Sequence, residues 1–191
     1  VTWGSDNAGG DSSAVAGDLS SGVTQIYSNH AGFVALKSDG SAVAWFSGHF
    51  EQPDLSSGVS KLYPNGVAFA ALKNDGSVVT WGESEAGGDS SDVSSDLSSG
   101  VTEIYSTTSF DGYQGAYAAL KNDGSVVTWG DDNYGGDSSA VSDKLSSGVT
   151  KIYSVGGGAD GGAFAAIKND GSVVTWGSDN AGGDSSAVAG D

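Results

Sequence analysis

The sequence predicts an all-β repeat protein made of four small sheets, and three observations predict it. The stretch AALKNDGSVVTWG at residues 70–82 recurs letter for letter at 118–130. It returns at 165–177 with Ile167 in place of Leu, and in worn form as VALKSDGSAVAWF at 34–46. Trp marks the register at Trp3, Trp45, Trp81, Trp129 and Trp176, at intervals of 42, 36, 48 and 47 residues. No segment sustains a 3.6-residue apolar period, while the apolar runs are short and rich in β-branched and aromatic residues. Self-similarity of this length marks a solenoid, a propeller or an array.

Each unit has the same parts in the same order. After the Trp comes an acidic Gly-rich loop, GSDNAGGDSS at 4–13, GESEAGGDSS at 82–91 and GDDNYGGDSS at 130–139. It is a candidate for a short fourth strand, and the segment after it, such as SDVSSD at 91–96, for a helical turn. LSSGV follows, beginning at Leu19, Leu55, Leu97 and Leu145. A strand-like run then ends in Tyr27, Tyr63, Tyr105 or Tyr153. A variable loop (28–32, 64–67, 106–115 or 154–162) leads into the repeated stretch. That stretch reads as a β-hairpin, because Asn-Asp-Gly-Ser tolerates positive φ and β-rich runs flank it. AFAAL at 68–72 is apolar at successive positions, so both of its faces should be covered, and its small Ala side chains suit close approach of a neighbouring sheet.

The second unit departs from this plan. FSGHFEQPD follows Trp45, and both prolines, Pro53 and Pro64, fall here, so this unit is expected to lack the outer part of its sheet. GGGADGG at 156–162 has no G-K-[ST] and opens no helix; it reads as a flexible loop, not a phosphate loop. The whole chain, 1–191, forms one array with units of about 4–45, 46–81, 82–129 and 130–176. Residues 177–191 begin a further unit identical to 4–18, and residues 1–18 and 174–191 are the same eighteen letters. Either the ends close a ring by sharing a blade, or the chain is a window on a longer array. The absence of Met and the start on Val1 in mid-unit lead to the expectation of a processed chain or a section of a longer one.

Composition narrows the function. Seven basic residues, all Lys, stand against 24 acids, for a formal net charge of −17. Such a chain repels nucleic acid and anionic membrane surfaces, and it has no Arg fork for phosphate. There is no Cys, hence no disulfide, thiolate site or cysteine nucleophile. No apolar run approaches the roughly 20 residues of a membrane-spanning helix.

The pattern A-L-K-x-D-G-x-V-x-x-W-G-x-x-x-x-G, once per unit, resembles the RCC1 (regulator of chromosome condensation) repeat over essentially the whole chain. The resemblance implies one β-propeller blade per unit, with Trp-Gly ending a strand and the Gly-rich loop turning the chain. Four units are fewer than the seven blades common in such propellers. The expectation is therefore a partial or small propeller, or an open stack continuing between chains. The exchange activity of the founding member on a small GTPase, with its docking to chromatin, is not carried over. The chain has no basic tail and no insertion matching an exchange wedge, and fold does not imply function.

Candidate chemistry is sparse. Asp6 and Asp11, with Asn7, and Asp131 and Asp137, with Asp132 and Asn133, are calcium candidates by residue type. Their spacing departs from D-x-[DN]-x-[DN]-G with its closing Glu, which favours a structural turn. Glu83, Glu85 and Asp89, and Asp179, Asn180 and Asp184, repeat the theme. His30 and His49 lie in no catalytic motif and read as loop residues. The four repeated Asp-Gly turns, at Asp39, Asp75, Asp123 and Asp170, are explained by turn chemistry. The variable loops should cluster on one face, with Phe110 and Tyr113 as the exposed contact residues. The function expected is that of a non-enzymatic structural or interaction repeat protein without cofactor, extracellular or at the cell surface. It would associate with itself or with other proteins through stacked repeats and variable loops. The alternative, by family analogy alone, is a protein-binding propeller regulating a small GTPase.

Overall fold

The computed structural model describes residues 2–5, 9–46, 51–158 and 161–186. Among the described residues, twelve strands form four three-stranded antiparallel sheets, each in plain meander order. The first sheet is β1 (Val23–Ser28), β2 (Gly32–Lys37) and β3 (Ala42–Phe46). The second is β4 (Val59–Pro64), β5 (Ala68–Lys73) and β6 (Val78–Gly82). The third is β7 (Val101–Ser106), β8 (Ala116–Lys121) and β9 (Val126–Gly130). The fourth is β10 (Val149–Gly158), β11 (Gly161–Lys168) and β12 (Val173–Gly177). The fold is thus all-β and blade-like, with no closed barrel.

The hairpin between the second and third strands is fixed by its turn. In the second blade the Gly76 N–H donates to the Lys73 carbonyl at 2.9 Å, and Leu72 faces Val78 across the pair. Only glycine takes positive φ among the described residues, Gly76 at +79°, so Asn74 and Asp75 remain on the ordinary side. Asp75 instead accepts from the Ser77 N–H and hydroxyl at 2.9 and 2.7 Å, closing the turn from its own side chain. The first strand of every blade carries a bulge just after its leading Val, between Val59 and Lys61 in the second. The residue in the bulge is always Thr or Ser. Thr24, Ser60, Thr102 and Thr150 donate their hydroxyls to the carbonyls of Leu36, Leu72, Leu120 and Ile167 on the partner strand. A backbone bond broken by the bulge is thereby replaced by a side-chain bond.

The middle strands are covered on both faces, as their unbroken apolar run requires. Ala68, Ala70 and Leu72 pack toward the third blade, with Ile104, Tyr117, Ala119 and Trp129. Phe69 and Ala71 pack toward the first, with Val34 and Ala44. The same relation joins the third blade to the fourth. Ala70, Ala71, Ala118 and Ala119 are fully buried, and any larger side chain there would push the sheets apart. Backbone bonds also tie blade to blade: the N–H groups of Val59, Val101 and Val149 donate to the hairpin carbonyls of Gly40, Gly76 and Gly124.

Three expectations are corrected. The acidic loop forms no fourth strand. It folds into one-turn 3-10 segments such as Ser84–Ala86 and Asp132–Tyr134, ended by Gly87 and Gly135 in the left-handed region. The second blade does not lack the outer part of its sheet, since β4, β5 and β6 are all present. The link before it is what is shorter, and residues 51–58 carry no helical turn. Finally, GGGADGG is not simply a loop: β10 runs into it as far as Gly158, β11 begins within it at Gly161, and these two glycines pair. The glycines allow this because the strands run against the third blade. A Cβ on Gly156 would lie 2.8 Å from the Thr108 backbone, and one on Gly162 would lie 2.9 Å from Thr107.

Candidate functional site

The variable loops of the first three blades meet at one end of the molecule. The His30 N–H donates to the Gly66 carbonyl at 2.9 Å, and Gly66 and Gly112 approach so closely that no Cβ would fit at Gly66. In the first three blades the residue after the first strand anchors this face. Asn29 donates to the Ala68 carbonyl at 3.2 Å, joining the first blade to the second. Asn65 is buried; it donates to the Ala86 carbonyl at 2.6 Å and accepts from the Ala68 N–H at 3.0 Å. Thr107, also buried, donates to the Tyr134 carbonyl at 2.8 Å and accepts from the Ala116 N–H at 3.1 Å. At the corresponding place in the fourth blade stands Val155, which is exposed.

These bonds frame a cleft of about 590 Å³ bordered by His30, Pro64, Asn65, Thr108 and Phe110. Phe110 is 83% exposed and Tyr113 62% exposed, so both loop aromatics point to solvent. Only Phe110 lines the cleft; Tyr113 stands outside it. The loop that carries them is held by Ser109, whose hydroxyl donates to Asp111 at 2.6 Å and accepts from the Gln114 N–H at 3.0 Å. The Ser109 hydroxyl bond, followed by that of the Tyr113 N–H, holds the Asp111 carboxyl below its ordinary value. His49 lies outside the described residues.

The acidic candidates occupy turns. Asp11 and Asp137 each accept from a backbone N–H two residues on, of Ser13 and Ser139, at 2.8 Å, and that bond is the main cause of their lowered pKa. Asp131 accepts from the Asn133 N–H at 2.8 Å and from the Gln114 amide at 3.1 Å, tying the acidic loop to the aromatic one. Asp6 lies outside the described residues. Among the described residues no three His, Cys, Asp or Glu side chains converge as a metal ion would need, and no helix is long and apolar enough to cross a membrane.

A polar contact that sequence patterns did not flag joins the second and third blades. Glu103 accepts from Lys61 at 2.6 Å and from the Tyr63 hydroxyl at 2.8 Å. Burial, followed by the bond to Glu103, pushes the Tyr63 phenol up to about 12. Burial also pushes Glu103 up, but the bonds from Lys61 and Tyr63 outweigh it and leave its pKa lowered. The signal was present in the sequence: the third residue of the LSSGV-linked strand reads Gln25, Lys61, Glu103, Lys151, a place of changing charge in otherwise constant surroundings.

The junction between blades has one further constant part, an aromatic socket. Phe33, Phe69, Tyr117 and Phe164 each stack on the Trp of their own blade, with centroids 5.2–5.4 Å apart. The indole N–H then donates to a glycine carbonyl in the link that precedes the blade. Trp45 donates to Gly9 at 3.1 Å, Trp129 to Gly87 at 3.0 Å and Trp176 to Gly135 at 3.2 Å. Trp81 has no such bond. Its Nε1 is the one buried side-chain nitrogen or oxygen without a partner among the described residues. The link before it contains no GGDSS sequence.

Solved structures similar to this chain include human WBSCR16, with 15% identity and a TM-score of 0.48 over 81% of this chain. Another is yeast RCC1 (Prp20), crystallised bound to Kap60, with 17% identity and a TM-score of 0.48 over 81% of this chain. Both are RCC1-like β-propeller proteins. The chain spans 47% and 42% of the length of those two proteins. No protein-family model and no curated protein matches the chain.

Proposed function

We propose that this chain is a non-enzymatic structural repeat protein whose blades stack on further blades of the same kind, forming part of a longer acidic array. One observation carries the reading: the two outer faces of the series hold the residues that pack together at every internal junction. Leu62, Ile104 and Ile152 occupy one position in the second to fourth blades and are 2%, 3% and 1% exposed, whereas Ile26, at that position in the first, is 56% exposed. On the opposite end Val173 is 58% exposed, while its counterpart Val78 is buried. Open apolar faces at the ends of a repeat series are what terminal capping units normally cover.

The acidic, cysteine-free composition suits display outside the cell, where net charge keeps a long assembly soluble. Phe110 beside the loop cleft supports a second contact, with other proteins, on the face that the stacking leaves free. The reading is tested by sedimentation velocity and electron microscopy across a concentration series. Stacking gives head-to-tail oligomers that Ile26→Asp and Val173→Asp each abolish. A monomer that persists unchanged to millimolar concentration sinks the proposal.

A further inference from the structure

Resting on the stacking reading above, we propose that copies join by exchanging an identical loop. Residues 177–186 of one copy take the aromatic socket of the next copy's first blade and displace that copy's own residues 4–13. The two segments are the same ten letters, GSDNAGGDSS.

The socket accepts such a loop three times within one chain. A Cβ on Gly9, Gly87 or Gly135 would lie 2.8, 2.7 and 2.7 Å from the ring of Phe33, Tyr117 or Phe164, so each glycine sits flat against the ring of the blade that follows. Gly182 is the fourth member of this series. It has the same left-handed φ, +92°, and nothing lies within 4 Å of where its Cβ would be. It is shaped for a ring that none of the described residues presents to it.

The vacant loop also makes the same internal hydrogen bonds as the described residues of its twin. The Gly10 N–H donates to the Ser5 carbonyl at 2.9 Å, and the Gly183 N–H to the Ser178 carbonyl at 2.8 Å. Thr2 donates to the Ser12 hydroxyl at 2.8 Å, and Thr175 to that of Ser185 at 2.8 Å. Ser13 N–H reaches Asp11 at 2.8 Å, and Ser186 N–H reaches Asp184 at 2.7 Å. Little ordering remains to be done on docking, which favours association.

The exchange loses no contact at the socket, because leaving and arriving residues are the same. It gains the junction that the N-terminal segment alone does not make. Ile26, Tyr153, Val155 and Val173, all exposed in the single chain, become covered. Gly171, whose Cβ position is open, comes to the place that Gly40, Gly76 and Gly124 hold at the internal junctions, opposite the N–H of the following Val. That Val is Val23 of the next copy. The polar edge matches as well: Lys151 and Tyr153 would face Gln25, where inside the chain Lys61 and Tyr63 donate to Glu103. A Gln oxygen accepts from both, and no like charges meet. Residues 4–13 therefore act as a built-in competitor. The tether gives them a high effective concentration at their own socket, and only a whole arriving blade outweighs it.

The test uses the full chain carrying Gly9→Val, Gly182→Val or both, with sedimentation velocity as the readout and circular dichroism as the check on folding. Gly9→Val expels the resident loop and is expected to tighten association by about tenfold or more, and Gly182→Val to weaken it by about the same factor. The double variant should behave as Gly182→Val does. Gly182→Ala, with a smaller side chain against the same ring, replaces the valine if that variant unfolds. If both Gly182 variants associate like the wild type while Ile26→Asp does not associate, copies stack without exchange and the inference is overturned alone. If neither the wild type nor Gly9→Val associates at millimolar concentration, the stacking reading fails and takes the inference with it.

Discussion

The indole N–H of Trp129 donates to the carbonyl of Gly87 at 3.0 Å, across a junction between blades and 42 residues of chain. Trp81 stacks on Phe69 as Trp129 stacks on Tyr117, but its N–H is unmatched. The pair therefore separates the hydrogen bond from the packing. Trp129→Phe leaves a buried carbonyl without its donor, a loss of about 1–3 kcal/mol beyond the packing change, whereas Trp81→Phe removes an unpaired donor. Urea unfolding should place Trp129→Phe below Trp81→Phe by that margin. Equal losses would mean that the bond contributes nothing.

A methyl group added at the glycine against the ring should be costly only where a ring is present. Gly87→Ala and Gly135→Ala combine a positive φ with a Cβ 2.7 Å from Tyr117 or Phe164. Gly182→Ala, in the single chain, has the same backbone penalty of about 1–2 kcal/mol and no clash. The thermal midpoint should fall clearly further for the first two, measured at a concentration where the chain is monomeric.

The loop face should divide sharply by burial. Asn65→Ala removes a buried amide with two hydrogen bonds and leaves the Ala86 carbonyl and the Ala68 N–H unmatched, so a loss of about 2–4 kcal/mol is expected. Phe110→Ala and Tyr113→Ala, both exposed, should change stability by less than about 0.5 kcal/mol. A large loss of stability at either aromatic would mark it as structural and not as a contact residue.

Tyr63 gives an alkaline signature. Its folded pKa, about 12, lies above the 10.0 of a free tyrosine. Stability from keeping the phenol protonated is fully present below pH 10 and is lost as the pH rises toward 12. Thermal midpoints measured across that window should fall more steeply for the wild type than for Tyr63→Phe. Parallel slopes would show that the phenol does not titrate as its burial and its bond to Glu103 require.

Calcium should leave the thermal midpoint unchanged, because the Asp11, Asp131 and Asp137 carboxylates are engaged by turn N–H groups. A rise on addition of millimolar calcium, reversed by a chelator, would restore the metal reading of these loops.

The parts of this fold that were legible in the sequence are those governed by local chemistry. The hairpin turn at residues 73–77 is specified by its own five residues, and the doubly covered strand at 68–72 by its apolar run. The extension of β10 and β11 into GGGADGG was not legible. Glycine alone says only that the chain is free, and what orders it is the backbone of Thr108 in the neighbouring blade. The anchors of the loop face were equally hidden. Asn29, Asn65 and Thr107 do one job with different side chains, and Asn65 and Thr107 find carbonyl partners 21 and 27 residues away. The difference at Trp81 has a trace in the sequence: Gly9, Gly87 and Gly135 each follow the preceding Trp by about six positions, and at that place after Trp45 stands Glu51.

The direction of the indole bonds has a consequence for how the chain is made. Trp45, Trp129 and Trp176 each bond to a glycine 36 to 42 residues earlier, never later. On the ribosome the acceptor therefore always emerges before its donor, and a blade closes its own junction as soon as its third strand is free. For this bond nothing downstream has to be awaited; only the outer cover of the blade, with Asn65 on Ala86 and Thr107 on Tyr134, waits for the blade that follows.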